Sequence, residues 1–181
     1  MIYYNLAYYF EERGREMIIL GIDPGLAIVG WGVIEYKGSK FRTVAYGSIN
    51  TPKEMSTSER LLQIYRELAE IIIKYKPEQV AIEELFFNTN ITTGIRVSEA
   101  RGVVLLVCEM AHLKIAEYTP LQVKQAVVGY GRAEKKQVIS MVTTILGLEA
   151  PPKPDDTADA LAIAVCHAHS GLSRLADYYN K

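Results

Sequence analysis

Hydrophobic periodicity changes once along this chain, and that change limits the folds open to it. Residues 18–23 are an apolar run that closes on the turn Asp23-Pro24-Gly25. Residues 28–36 read as a second strand, Lys37-Gly38-Ser39-Lys40 as a hairpin turn, and 41–49 as a third strand. From residue 57 the spacing becomes helical: Leu61, Leu62, Tyr65, Leu68, Ile72 and Tyr75 form one stripe, with Ser56 or Ser58 placed to cap it. A short strand at 79–84, a helix over 92–112, a strand at 114–118 and helices near 120–127, 134–146 and 156–169 complete the order β-β-β-α-β-α-β-α-α-α. Three hairpin-linked strands followed by helix-linked ones predict an α/β fold: a mixed five-stranded sheet with helices on both faces.

A chain of 181 residues suits one domain with a sizeable core. Residues 1–16, an aromatic stretch running into Glu11-Glu12-Arg13-Gly14-Arg15-Glu16, differ in character from the rest of the chain. They are read as an extension ahead of a natural start at Met17, with 17–181 as a single domain. No basic segment precedes the apolar start and no small-residue cleavage site comes after it, and no apolar run is long enough to cross a membrane. Cys108 and Cys166 each sit in an apolar stretch and read as buried thiols, so a cytoplasmic location is expected. The net charge of −1 gives no general affinity for nucleic acid, but Lys114, Lys124, Arg132, Lys135 and Lys136 outnumber Glu117 and Glu134 within 114–136.

Four acids stand where a strand end or a helix start meets a turn. Asp23 ends the first strand, Glu83 ends the fourth, and Asp156 and Asp159 lie three apart at the start of the last helix, so they share a face. Glu83 and Glu84 point to opposite faces, so one of them faces the others. Carboxylates brought to one spot repel, and a hard divalent cation with oxygen ligands relieves that conflict. Two such ions about 3.5–4 Å apart can clamp a phosphodiester. Each acid also has a plainer explanation: Asp23 opens a turn, and Asp155 and Asp156 complement a helix dipole. An acid among Ala158, Ala160, Leu161 and Ala162 is harder to explain that way.

The combination resembles the RuvC family of Holliday junction resolvases. The likeness lies in Gly21-Ile22-Asp23-Pro24-Gly25 with Gly30-Trp31-Gly32, in 81–87 (Ala-Ile-Glu-Glu-Leu-Phe-Phe), in the basic stretch 119–129, and in Asp156-Thr157-Ala158-Asp159, and it spans roughly 17–169. It implies an RNase H-like fold and a homodimer. It implies nicking of opposed strands in four-way junction DNA, leaving a 5′-phosphate and a 3′-hydroxyl, with Mg²⁺ or Mn²⁺ and two ions per site. It also implies the RuvA–RuvB branch-migration complex as a partner. Residue by residue, Asp23, Glu83, Asp156 and Asp159 take the catalytic and metal-binding places, with Asp155 the alternative to Asp156. Lys124 and Lys135 match basic residues near the DNA backbone, and Phe86 matches an aromatic that stacks on an unpaired base. Phe86 also fits simple core packing, and the two lysines fit solvated helix charges. Phe87 reads as core. His167 and His169, two apart, read as surface residues near a helix end. The small residues Ser98, Ala100 and Gly102 make the helix over 92–112 the candidate dimer interface.

Three other functions share parts of this pattern. A sugar or nucleotide phosphotransferase of the actin–hexokinase type would carry Thr or Ser after Gly25, where this chain has Leu26. A junction binder without catalysis gains nothing from acids facing phosphate. Another RNase H-like nuclease would have the same acids, and the stretch Gln122-Val123-Lys124-Gln125 favours the junction enzyme over it.

Overall fold

The structure, a computed structural model, describes residues 16–84 and 91–170, the side chains of 91–93 excepted. Five strands form one sheet: β1 (Met17–Asp23), β2 (Ile28–Lys37), β3 (Lys40–Asn50), β4 (Gln79–Glu83) and β5 (Lys114–Tyr118). Their spatial order is β3-β2-β1-β4-β5. β1, β2 and β3 make the antiparallel meander expected from their short turns, and β4 and β5 join in parallel. The hairpin between β2 and β3 has Gly38 at φ 53° and Ser39 at φ 72°. Two consecutive positive φ values match the twist of the paired strands.

Among the described residues the helices are α1 (Thr57–Tyr75), α2 (Ile91–Met110), α3 (Pro120–Val128), α4 (Lys135–Ile145) and α5 (Asp155–Ser170). Ser56 rather than Ser58 caps α1, in a capping box with Glu59, and Thr119 and Gln122 make the same device at α3. The helix expected over 92–112 stops at Met110, where His112 turns left-handed at φ 55° and redirects the chain into β5. On α1, Leu62 is not part of the buried stripe: it is 46% exposed, and Ile64 occupies the core with Leu68 and Ile72. The period of 3.6 favours position 64 over 62 once 68 and 72 are fixed.

The helices cover both faces. On one face Leu20, Ile22, Val33, Val80 and Ile82 pack with α1 and α2. On the other, Ile19, Ile34 and Ala81 pack with α3, α4 and α5. This is the expected three-layer arrangement. α5 is the innermost helix, with every residue from Ala160 to Ala168 buried, including Cys166; Cys108 is buried on the core side of α2.

Strand alternation decides which acids meet α5. Ile19 and Gly21 face it, so Asp23, two residues on, does too; Ala81 faces it, and so does Glu83. α5 lies almost on bare backbone. A Cβ at Gly21 would strike the Ala160 carbonyl and Ala164, one at Gly30 the Asp156 carbonyl, and one at Gly32 the Leu161 side chain. Asp23 pairs with Gly30 across the β1–β2 ladder, so the helix start is held beside the end of β1. Thr157 secures it further, donating its hydroxyl to the Gly47 carbonyl at 3.1 Å.

The seating of α5 predicts that Gly30→Ala destabilises the fold by about 1–3 kcal/mol or more, the usual cost of overpacking. Urea denaturation measures this, and an unchanged midpoint would show that the helix is not held against Gly30.

Candidate active site

β1 and β4 run parallel with Ile22 opposite Ile82, so their last residues, Asp23 and Glu83, are cross-strand neighbours at the same sheet end. Parallel neighbours lie about 4.8 Å apart along the hydrogen-bonding direction. α5 runs back over the sheet from this end and brings the side chains of its first two turns to the same place. Glu83 is half-buried and Glu84 is exposed, which settles which of the two faces inward.

The electrostatics reflect this crowding. Burial, then the charges of Glu83, Asp159 and Asp156, push the Asp23 carboxyl up to about 8. Burial and Asp159 push Glu83 up to about 7, against the pull of Lys135 and Lys124. Burial raises Asp159 as well, in spite of its bond to Lys135. Asp156 acts on Asp23, whereas Asp155 points outward and is 61% exposed. Both Asp156 and Asp155 act on Asp159, and only Asp156 of the two acts on Asp23.

Lys135, the first residue of α4, reaches into the cluster with its ammonium 2.9 Å from Asp159 and 3.6 Å from Asp155. Burial lowers its proton affinity, but the Asp159 bond and the neighbouring acids more than offset that and leave it raised. Lys124, from α3, lines the same cleft with Glu83, Pro120, Val123, Lys135, Val138, Asp159 and Ile163; the cleft holds about 220 Å³. Phe86 and Phe87 lie outside the described residues. Four carboxylates are a hard oxygen donor set, suited to Mg²⁺ or Mn²⁺ rather than to softer metals. As they stand, no three acidic, His or Cys side chains among the described residues are gathered closely enough to hold an ion. The acids are within electrostatic reach of one another but not at ligand distance, and Asp159 is engaged by Lys135. The donor set fits the ion once the side chains turn and that ammonium moves.

The expectation for His167 is corrected. It is buried, not at the surface, because α5 is enclosed on all sides. Its Nδ1 meets the Tyr118 hydroxyl at 2.8 Å and its Nε2 meets Gln79 at 2.5 Å, and burial pulls its pKa down to about 4, so it is a neutral structural group. His169 is exposed as expected. Neither adjoins the acids.

Sequence reasoning missed the glycine bed under α5. The signal was present: Gly21, Gly30 and Gly32 lack side chains on the face where the helix sits. It also missed the Lys135 ion pair, which joins residues distant in sequence.

The family model described as crossover junction endodeoxyribonuclease RuvC matches residues 19–167. The chain belongs to the RuvC family. The RuvC protein of Alkaliphilus metalliredigens is 63% identical over 155 residues, covering 86% of this chain and 94% of that one. The structure of Thermus thermophilus RuvC in complex with a Holliday junction substrate superposes with a TM-score of 0.82 at 39% identity, covering 86% of this chain and 95% of that one. The yeast mitochondrial resolvase Ydc2, at 14% identity and a TM-score of 0.63, shares the fold. These neighbours carry the RNase H-like architecture expected from the sequence. The chain is thus a metal-dependent nuclease of the crossover junction type.

The crowded acids set a pH dependence. A carboxyl whose folded pKa is raised binds a proton more tightly when folded, so its contribution is present at low pH and is lost as pH rises through the folded value. Metal-free stability should therefore decline from the ordinary carboxylate range up to about 8, the level of Asp23. Mg²⁺ should flatten the decline. Thermal denaturation across that range, in EDTA and in Mg²⁺, checks this; equal slopes would contradict it.

Proposed function

We propose that this chain resolves four-way DNA junctions by nicking opposed strands symmetrically, with Asp23, Glu83, Asp156 and Asp159 as its metal-binding and catalytic residues. One observation carries this reading: half-buried carboxylates at the end of β1, the end of β4 and the start of α5 crowd together beside two lysines, and Asp23, Glu83 and Asp159 each hold a proton more tightly than an ordinary carboxylate. The likeness to a nuclease solved with a Holliday junction supports the substrate. The biological setting is homologous recombination and DNA repair.

When bound, two divalent ions, Mg²⁺ or Mn²⁺, supply an activated water and neutralise charge on the scissile phosphate. The residues of the chain do the rest. Asp23, the acid acted on by all three others, would hold the ions together with Glu83, Asp156 and Asp159. Lys124 and Lys135 position the phosphate and contribute salt-dependent affinity. The water oxygen joins phosphorus in line and the 3′-oxygen leaves, giving a 5′-phosphate and a 3′-hydroxyl. Phe86, next to the site in sequence, is assigned to stacking on an unpaired base at the crossover, worth about 1–3 kcal/mol.

A symmetric pair of nicks needs two sites, and a two-fold homodimer provides them. Residues Val103 to Cys108 are apolar all round the helix, the pattern of a helix covered on both sides. Ala100, Val104, Val107 and Cys108 face the core, whereas Ile95, Leu106 and Met110 are 54%, 55% and 58% exposed, with Gly102 among them. We assign the dimer interface to that exposed face. The RuvA–RuvB complex is the assigned branch-migration partner, on family grounds. No helix among the described residues is long and apolar enough to cross a membrane, and we place the enzyme in the cytoplasm with its DNA. Residues 17–181 are taken as one nuclease unit, with 1–16 as an extension.

Asp23→Asn should abolish nicking of a synthetic four-way junction in Mg²⁺ while the band shift persists; retained nicking would remove Asp23 from the mechanism. An added Cβ at Gly102 meets nothing within 4 Å in the single chain. Gly102→Trp should accordingly fold yet run as a monomer in light scattering. A dimer of unchanged affinity would place the interface elsewhere.

A further inference from the structure

Lys135 occupies a position that helix formation alone does not favour. It is the first residue of α4, followed by Lys136, and the first turn of that helix carries no acid. A cation there opposes the helix macrodipole. Its ammonium is instead held by Asp159 at 2.9 Å and Asp155 at 3.6 Å, the first belonging to the acid cluster and the second to its rim. The acids are not gathered at ligand distance as they stand. The same cleft is lined by Lys124, and the helix start behind Lys135 presents N–H groups that favour an anion.

We propose that Lys135 is an exchangeable counter-cation: in the free enzyme it holds Asp159 in place of a divalent ion, and a junction phosphate draws it away, so that DNA and metal bind cooperatively. The proposal rests on the nuclease reading of the site and adds an order to its assembly. Without DNA, an entering ion must displace the ammonium from Asp159. With DNA, the phosphate supplies Lys135 with a new partner and leaves Asp159 free to turn toward the ion. By linkage, the ion strengthens DNA binding by the same factor. The consequence is a nuclease whose metal shell is incomplete until a substrate phosphate is present.

The test is calorimetric titration of Mn²⁺ into the full chain without DNA, then with a four-way junction whose crossover linkages cannot be hydrolysed. Lys135→Met should bind Mn²⁺ roughly two- to fivefold more tightly than the wild type without DNA, the scale of a partly exposed ion pair. It should also gain less from the junction. Lys135→Arg keeps the charge and should retain the wild-type affinity. The side chain is 52% exposed, so Met leaves no cavity. As a second measurement, Mn²⁺ should raise the melting temperature of Lys135→Met more than that of the wild type. Unchanged or weaker Mn²⁺ binding by Lys135→Met overturns the exchange, as does equal tightening in Lys135→Arg. If Asp23→Asn binds Mn²⁺ as well as the wild type does, the metal site itself is misassigned. If Asp23 is required but Lys135→Met is unchanged, only the exchange fails.

Discussion

The contact on which this molecule depends is between α5 and the bare backbone of β1 and β2. Gly21, Gly30 and Gly32 remove three side chains from one face of two paired strands, and the helix descends into the space. Its alanines, Ala160 and Ala164, keep the approach close. One packing choice has two results. The core on that face closes tightly, and the first turns of α5 lie beside the ends of β1 and β4. Fold stability and site geometry are therefore set by the same residues, and a larger side chain at Gly30 disturbs both.

That arrangement sets up an electrostatic conflict. Half-buried carboxylates cannot all ionise at neutral pH without compensation, and Asp23 and Glu83 are driven up to about 8 and about 7. Lys135 and Lys124 compensate in part, from helices that pack over α5 rather than from the sheet. The bed beneath the acids is closely packed, and the compensating charges sit on its cover. Such a division suits a site in which ligands change while the acids stay in register.

Much of this could be read from the amino-acid order, because strand alternation is a strong rule. Asp23 and Glu83 end apolar runs whose inward faces are fixed two residues earlier, so their convergence followed from topology. Asp155 and Asp156 could not be told apart by pattern, since both open the same helix and a step of one residue swings a side chain by about 100°. His167 was misread because spacing along a helix says nothing about how many elements surround it; α5 is enclosed, and the ring is satisfied by Tyr118 and Gln79. Leu62 was misread because neighbouring leucines both fit an apolar stripe until Ile64 is seen to fill it. The glycine bed was overlooked because glycines advertise turns before they advertise close packing. Lys135 was legible as a basic residue, but its bond to Asp159 joins two helices whose separation the sequence does not give.

The central claim is that the ends of β1 and β4 and the start of α5 form one divalent-ion pocket. Diffraction at the manganese absorption edge, from crystals of the full chain with a non-hydrolysable junction and Mn²⁺, tests it most directly. The account predicts anomalous density among Asp23, Glu83, Asp156 and Asp159, with the Lys135 ammonium no longer on Asp159. Manganese bound elsewhere, with those carboxylates still apart and the Lys135 pair intact, would contradict it.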